Sequence, residues 1–186
     1  MVVQLLTLAR QEPASYRQTP EETQQLAMQA LDLNTLAQNA AADFALAADS
    51  RQIDIAVKQA ANGTARISGD AAALSIVLNN LLDNAIRYSP EGGRVVVSVT
   101  ADADRVALSV QDNGPGIPPA ELARVFDRFY RGSNVEAHGS GLGLAIVKRI
   151  ADLHGAQVEA VNTEDGLRVT VTFPRSTVVP LRLETA

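Results

Sequence analysis

The 186-residue sequence contains no cysteine and no tryptophan, and it has only two histidines. Without cysteine the chain has neither disulfides nor thiolate metal sites, which fits a reducing compartment, and two histidines argue against a structural zinc site. Aromatic residues make up only 4%, so we expect a core built from Leu, Val, Ile and Ala. No apolar run approaches the roughly 18 residues that a membrane span needs, and no signal peptide is evident. We therefore expect a soluble chain.

The chain also lacks an excess of basic residues. Its net charge of -5 argues against general nucleic-acid binding, which favours a basic surface. Its 16 lysines and arginines are still enough to line a local phosphate site. With 46% apolar and 20% charged residues, the composition is that of an ordinary globular protein with one well-buried domain.

Apolar periodicity and turn residues divide the chain into helices and strands. Helical patterns cover residues 31–48, 71–88, 119–126 and 141–153. Strand patterns cover residues 53–57, 65–68, 94–100, 105–111, 157–162 and 167–173, and the last four form two antiparallel hairpins. Hairpins and separate helices predict an α+β two-layer sandwich, with a mixed, mostly antiparallel sheet of about five strands on three helices.

The two ends of the chain differ from this central part. Residues 1–12 carry a short apolar stripe at helical spacing, which we interpret as the end of a longer helix that packs on something else. Residues 13–30 are polar and contain prolines, so they are predicted to be a linker. The predicted domain covers residues 31–175, and residues 176–186 are predicted to be a C-terminal tail.

The predicted helix over residues 71–88 places Asn80, Asn84 and either Arg87 or Tyr88 on one stripe. Such a stripe is often only a solvated polar face. Asparagine is nevertheless a poor residue inside a helix, because its side chain competes for backbone hydrogen bonds. Two asparagines one turn apart in a Leu-rich run are explained if their carbonyl oxygens face a ligand. Carbonyl oxygens suit Mg²⁺, so we predict Asn84 as a metal ligand with Asn80 beside it.

The strand predicted over residues 105–111 is followed by the loop DNGPGIP at residues 112–118. Its glycines and prolines prevent continuation as a helix or a central strand. A plain turn would explain such a loop. In the functional interpretation, the glycines let the backbone approach a flat ring while Asp112 accepts a hydrogen bond from the amino group of adenine. Guanine carries a carbonyl at that place, so a carboxylate there would reject it.

Three glycines, Gly139, Gly141 and Gly143, lie at the start of the helix predicted over residues 141–153. Backbone N–H groups of a glycine-rich turn and of a helix N-terminus together form a cradle for phosphates. The pattern is weak by itself, because it matches neither the dinucleotide-binding glycine motif nor a Walker A loop.

Together, four segments resemble the N, G1, F and G2 boxes of sensor histidine kinases: NLLDNA (80–85), DNGPGI (112–117), FDRFY (126–130) and GSGLGL (139–144). The chain is thus similar to the ATP-binding catalytic domain of that family, which implies the Bergerat fold with ATP and Mg²⁺ as ligands. The resemblance implies an ATP site made of Asn80, Asn84, Arg87, Tyr88, Asp112, Gly114, Gly116, Ile117, Phe129, Arg131, Gly139, Gly141, Leu142, Gly143 and Leu144.

Roles within that site also come from the resemblance. Arg87 would face the phosphates and Tyr88 the base or the ribose. Phe126 and Phe129 are either core residues or clamps of a mobile ATP lid, for which Gly132 and Gly139 would be the hinges. Either Arg128 or Arg131 would reach the terminal phosphate.

The resemblance implies transfer of the γ-phosphate of ATP to a histidine of a dimerisation domain, with a response regulator as the further partner. Related ATPases carry a glutamate general base where this chain has Asn80, and an amide cannot take a proton from water. In this family the histidine that accepts the phosphate is followed by an acidic residue, and neither His138 nor His154 is. His154 lies at a predicted helix C-terminus, where a cation is mildly favoured. We therefore expect the acceptor histidine upstream of Met1, and no self-labelling.

Two other functions remain open at this point. One is an ATPase of the same fold, and the other is a non-catalytic, anti-sigma-type switch that binds ATP and a protein partner. The resemblance further implies a cytoplasmic domain of a bacterial inner-membrane protein, without direct membrane contact by this part of the chain.

Overall fold

The computed structural model describes residues 27–61, 64–130 and 141–175. Within these ranges the strands are β1 (Gln29–Asp32), β2 (Asp54–Lys58), β3 (Arg66–Gly69), β4 (Arg94–Ala101), β5 (Arg105–Asp112), β6 (Gln157–Asn162) and β7 (Leu167–Pro174). The helices are α1 (Leu33–Asp43), α2 (Ala45–Asp49), α3 (Ala71–Tyr88) and α4 (Gly143–Leu153). The terminal helix and the tail predicted from the sequence lie outside the described residues.

Five strands form one mixed sheet in the order β2-β4-β5-β7-β6. β2 and β4 are parallel, and the other neighbours are antiparallel. Apolar residues alternate along the central strands, so that one face of the sheet packs on the helices. The buried members of this face include Val95, Val97, Val106, Leu108, Val171 and Phe173. The predicted α+β two-layer sandwich is confirmed.

α3 is the central helix of the other layer. Asp70 caps its N-terminus by accepting a hydrogen bond from the N–H of Ala73 at 2.9 Å. Its core-facing residues are Leu74, Val77, Leu78, Leu81, Leu82, Ala85 and Ile86. Burial of each large apolar side chain contributes about 1.5–3 kcal/mol. The helix ends at Tyr88 because Ser89, which precedes Pro90, takes an extended backbone conformation.

The C-terminal end of α3 is capped by the side chain of Arg51. Its Nη1 donates to the carbonyl oxygens of Ile86 and Arg87, and its Nη2 donates to the carbonyl oxygen of Ser89 at 3.1 Å. These bonds satisfy carbonyl groups that a helix end leaves without intrahelical partners. A positive charge at this end also complements the helix dipole.

Three predicted helices differ from the observed ones. The first begins at Leu33, because Gln29–Asp32 pairs with β3 as a separate two-stranded antiparallel sheet. The helix predicted over residues 119–126 is reduced to a single 3-10 turn at Leu122–Arg124. α4 begins at Gly143, since Gly141 has a φ of +68°, which a right-handed helix does not accommodate.

α3, with 18 residues, is the longest of the described helices, and it contains charged and amide side chains as well as apolar ones. Neither α3 nor any other helix in the described ranges is both long and apolar enough to cross a bilayer.

Candidate functional site

The face of α3 that carries Asn80 and Asn84 lies against the start of α4. A Cβ atom added at Gly143 would stand 3.0 Å from Oδ1 of Asn80 and 3.6 Å from Nδ2 of Asn84. Nδ2 of Asn80 donates to the carbonyl oxygen of Ile76 at 2.8 Å, and its Oδ1 is therefore turned toward α4. The fold thus brings both asparagines to the helix start that the sequence marks with glycines.

The N-terminus of α4 offers a set of backbone N–H groups. Its N-cap residue, Leu142, makes no side-chain capping bond, and the first turn contains no acidic residue. The first N–H groups of a helix have no intrahelical partner and carry partial positive charge. Leu144 is partly buried against the core and Val147 is fully buried, so this end of α4 is held in place by packing. Such an end is suited to bind an anion.

Arg87 and Tyr88 occupy the last turn of α3. Nη2 of Arg87 lies 2.6 Å from Oδ2 of Asp83 in a solvent-exposed i,i+4 pair, and such pairs contribute only about 0.3–0.5 kcal/mol. The side chain of Tyr88 is 37% exposed. The carbonyl oxygen of Tyr88 would stand 2.5 Å from a Cβ atom at Gly114, so the end of α3 is in contact with the loop after β5.

Asp112 is the buried acidic residue at the end of β5. Its Oδ1 accepts hydrogen bonds from the N–H groups of Gly114 at 2.9 Å and Leu167 at 3.2 Å. Burial raises the pKa of the Asp112 carboxyl group, and the two hydrogen bonds partly offset that shift. Within the described ranges every fully buried side-chain oxygen has a hydrogen-bond partner. Oδ2 of Asp112 accepts neither of these bonds.

The loop after Asp112, residues 113–118, is held by Asn162 at the end of β6. Oδ1 of Asn162 accepts a hydrogen bond from the N–H of Ile117 at 2.9 Å, and its Nδ2 donates to the carbonyl oxygen of Ile117 at 2.6 Å. Gly116 has a φ of +69°, which favours glycine. A Cβ atom at Gly116 would also stand only 2.7 Å from Oδ1 of Asn162.

The turn between β6 and β7 packs on the same loop through Gly166. A Cβ atom at Gly166 would stand 2.4 Å from the carbonyl oxygen of Asp112 and 2.8 Å from the backbone nitrogen of Gly114. The sequence identifies neither Asn162 nor Gly166 as a site residue. Gly166 lies between the two predicted strands of a hairpin, and no sequence signal connects Asn162 with a residue 45 positions earlier.

The two phenylalanines of the third motif have different environments. Phe126 is partly buried against the core, whereas Phe129 is 72% exposed and has a φ of +62°, which is uncommon for a residue other than glycine. The N–H of Phe129 donates to the carbonyl oxygen of Gly141 at 2.9 Å. Two predicted site residues, Arg131 and Gly139, and the predicted lid lie outside the described residues.

His154 is buried at the C-terminal end of α4. Its Nε2 accepts a hydrogen bond from the N–H of Asp70 at 3.0 Å. Nδ1 in turn donates to the carbonyl oxygen of Ile150 at 2.8 Å. Both ring nitrogens of His154 therefore have hydrogen-bond partners inside the domain.

The donor set of the site fits a hard metal ion. In the described part of the chain, no three His, Cys, Asp or Glu side chains come together to hold a metal. The side chains that face the start of α4 are the amides of Asn80 and Asn84. Oδ1 of Asn80 faces Gly143, and the broad terminal torsion of asparagine lets Asn84 present either end of its amide. Mg²⁺ suits such a site, since it uses few protein ligands and completes its shell with phosphate oxygens and water.

Comparison with known proteins finds matches over the part of the chain that contains these features. A profile for histidine kinase-, DNA gyrase B- and HSP90-like ATPases matches residues 69–177. Sensor protein QseC of Escherichia coli (strain K12) is 43% identical over 166 residues, which cover 89% of this chain and 34% of QseC. The signal transduction histidine-protein kinase/phosphatase MprB of Mycobacterium leprae is 50% identical over 105 residues, covering 55% of this chain and 20% of MprB. The chain thus spans about a third of QseC and about a fifth of MprB.

Solved structures match the fold. The catalytic domain of histidine kinase ThkA has a TM-score of 0.71 at 26% identity, covering 81% of this chain and 98% of that one. The cytoplasmic segment of QseC has a TM-score of 0.57 at 32% identity, covering 94% of this chain and 91% of that segment. ThkA in complex with the response regulator TrrA has a TM-score of 0.67 at 24% identity, covering 80% of this chain and 42% of that one. At that identity the complex shows a common fold alone.

Proposed function

The chain belongs to the family of histidine kinase-, DNA gyrase B- and HSP90-like ATPases, as a sensor histidine kinase catalytic domain, and we propose that it binds Mg-ATP for phosphoryl transfer to a histidine. The acceptor histidine would belong to the dimerisation domain of the kinase, in two-component signalling. The observation that carries the proposal is the N-terminus of α4 lying against Asn80 and Asn84. This arrangement combines an anion-binding helix end with the amide oxygen of Asn80 and with Asn84, whose amide can turn to present its oxygen.

In the phosphate half of the proposed site, backbone N–H groups at Gly143 and Leu144 would bind phosphate oxygens, and Asn84 would hold Mg²⁺ with Asn80 beside it. When bound, Mg²⁺ would neutralise the negative charge that develops on the phosphoryl group during its transfer. Glycine at position 143 supports this assignment, because a side chain there would approach Oδ1 of Asn80 to 3.0 Å. The phosphate-facing role of Arg87 stays a prediction.

In the base half of the proposed site, Oδ2 of Asp112 would accept a hydrogen bond from the adenine amino group. Gly114 and Gly116 would allow the ring to approach the backbone of the loop, while Tyr88 and Ile117 are assigned to the base or ribose by resemblance. The carboxylate selects adenine over guanine, since the guanine carbonyl would leave two acceptors facing each other.

The nucleophile in the proposed reaction is a histidine and not water. Asn80 cannot act as a general base, so hydrolysis by this site should be slow. A phosphate acceptor needs a neutral imidazole whose nitrogen reaches the γ-phosphate in line. Both nitrogens of His154 are engaged in internal hydrogen bonds in a buried position, and His138 lies outside the described residues. We assign the acceptor to the dimerisation domain.

We propose partners and a location on the basis of the relatives. ThkA has been solved with a response regulator, and we propose that the phosphate passes from the acceptor histidine of this kinase to a receiver domain. QseC is a sensor protein, and the structure that matches is its cytoplasmic segment. These names support the proposal that this chain lies on the cytoplasmic side of a bacterial inner membrane, as part of a membrane-bound sensor.

Nucleotide binding is tested by calorimetric titration with a non-hydrolysable ATP analogue, with Mg²⁺ and with EDTA. We expect Mg²⁺-dependent binding in the micromolar-to-millimolar range that is usual for enzymes. Asn84→Ala should remove the Mg²⁺ dependence. Asn79→Ala is the matched control, because Asn79 is exposed on the same helix and should leave binding unchanged. Binding that is indifferent to Mg²⁺ in the unaltered protein would contradict the metal assignment.

Phosphoryl transfer is tested with γ-labelled ATP and a fragment of the related kinase QseC that carries its dimerisation hairpin. The expected result is acid-labile label on a histidine of that fragment and none on this chain. Rapid release of inorganic phosphate without the fragment would instead indicate an ATPase. Label on a serine of a partner protein would indicate a switch of the anti-sigma type.

A further inference from the structure

The loop after Asp112 lies next to the sheet but cannot join it as a strand. Pro115 and Pro118 have no N–H group to donate, and Gly116 has a positive φ. Ile117, between these residues, offers one donor and one acceptor. The amide of Asn162 binds both of them, at 2.9 Å and 2.6 Å, and so takes the place that a neighbouring strand would otherwise have.

The β6–β7 hairpin therefore holds the loop at both of its ends. At the near end, the N–H of Leu167 donates to Oδ1 of Asp112 at 3.2 Å, and Gly166 packs on the backbone of Asp112. At the far end, Asn162 binds Ile117 and lies against Gly116. A rotation of the loop would break the contacts at one of the two ends. Because the N–H of Gly114, in the loop, donates to Oδ1 of Asp112 at 2.9 Å, such a rotation would also disturb a hydrogen bond that orients this carboxylate.

We propose that Asn162 is a positioning residue for base recognition, which holds Ile117 so that the loop presents Oδ2 of Asp112 to the adenine amino group. This inference rests on the proposed ATP site. Asn162 does not need to touch the nucleotide, and its effect reaches the base through the loop. Asparagine is suited to this role because one planar amide provides both the acceptor and the donor that a single backbone residue needs.

The inference is tested by comparing ATP with purine riboside triphosphate, which lacks only the amino group that Asp112 would bind. One hydrogen bond to a charged group makes ATP bind roughly 10- to 100-fold more tightly than this analogue to the unaltered protein. In Asn162→Ala we expect ATP affinity to fall while analogue affinity is nearly unchanged, so that the ratio of the two affinities moves toward one. A residue with only a structural role would lower both affinities equally.

Two conservative variants and one control complete the test. Asn162→Asp keeps the acceptor for the N–H of Ile117 but loses the donor, so its affinity ratio should lie between those of the unaltered protein and Asn162→Ala. Glu164→Ala alters an exposed residue of the same hairpin turn and should leave the ratio unchanged. If Asn162→Ala does not fold, as judged by circular dichroism, the ratio of ATP affinity to analogue affinity is measured in Asn162→Asp and Asn162→Gln instead.

The outcomes separate the two proposals. An unaltered protein that binds neither nucleotide, or binds both equally, overturns the base assignment before any variant is considered. An unaltered protein that prefers ATP, together with variants at Asn162 that keep the full preference, overturns only the positioning role. A preference that falls in the order unaltered protein, Asn162→Asp, Asn162→Ala supports it.

Discussion

At the scale of single residues, Asp112 is placed where its charge is unfavourable for folding but useful for recognition. Its raised pKa means that the folded protein binds a proton at this carboxyl more tightly than the unfolded chain does. At neutral pH the ionised group therefore lowers the free energy of unfolding. A buried acceptor that costs stability yet leaves one oxygen open is typical of a functional site.

We predict that Asp112→Asn raises the thermal stability of the ligand-free domain at neutral pH and lowers ATP affinity by roughly 10-fold or more. The amide oxygen can still accept the bonds from Gly114 and Leu167, so the fold should be preserved. The stability difference should shrink as the pH falls through the raised pKa of Asp112 toward the ordinary value of 3.8. Melting curves at several pH values measure this, and a difference that grows toward acid pH would contradict it.

Gly166 is the second residue with a direct steric prediction. In Gly166→Ala, the new Cβ would stand 2.4 Å from the carbonyl oxygen of Asp112, so the loop must shift and ATP affinity should fall several-fold. Gly155→Ala is the matched control, because Gly155 has a φ of +63° with no atom within 4 Å of a Cβ there. It should cost about 1 kcal/mol of stability and leave ATP affinity unchanged. Equal affinity losses in both variants would sink the steric argument.

At the scale of elements, the two ends of α3 are both held by side chains from outside the helix. Asp70 caps the N-terminus, and its backbone N–H binds His154 at the end of α4. Arg51 caps the C-terminus beside Arg87 and Tyr88. The helix that carries the proposed metal ligand is thus fixed along its axis, which keeps Asn84 at a constant distance from α4.

We predict that Arg51→Ala lowers the free energy of unfolding by about 1.5–3 kcal/mol, the usual contribution of hydrogen bonds to a charged group. Arg51→Lys should recover only part of this loss, since an ammonium group lacks the planar fork of a guanidinium. Arg94→Ala serves as the control because it removes an exposed pair with Asp54 at 3.4 Å, and it should cost no more than about 1 kcal/mol. Urea denaturation measures all three, and a full recovery by lysine would exclude the fork geometry as the cause.

α3 and α1 show which elements the sequence predicts and which it does not. α3 is predicted with its observed bounds, since Asp70 before it and Ser89-Pro90 after it are local signals. The start of α1 is misplaced because Leu31 continues the Ala- and Leu-rich helical composition, while the strand to which it belongs depends on pairing with β3, where Leu31 lies opposite Ile67. That pairing is a contact between distant residues, which local propensity does not report.

At the scale of the whole molecule, the candidate site is assembled from segments that are far apart in sequence. The predicted residues Asn80, Asn84 and Gly143 meet because α3 and α4 are packed against each other. The supporting residues Asn162, Gly166 and Arg51 could not be predicted, because their types fit an ordinary strand end, a turn and a surface position. Only their contacts distinguish them, and those contacts exist only in the folded chain.

We predict that Mg-ATP raises the melting temperature of the whole domain, while Mg-GTP has little effect. A ligand that binds only the folded state stabilises it by about 2.7 kcal/mol at 100 times its dissociation constant. EDTA should remove most of the shift, and Asn84→Ala should make the shift with ATP insensitive to EDTA. Differential scanning fluorimetry measures this, and an equal shift with GTP would contradict the role of Asp112.

The position of the β6–β7 hairpin in the chain has a consequence for synthesis on the ribosome. α3 and the loop after Asp112 leave the ribosome first, but Ile117 waits for a partner 45 residues later and Asp112 for one 55 residues later. Late pairing between distant segments slows folding. A nascent chain that ends before Asn162 would therefore contain the residues that we assign to adenine and still lack their supports, so nucleotide binding would begin only when the β6–β7 hairpin has been made.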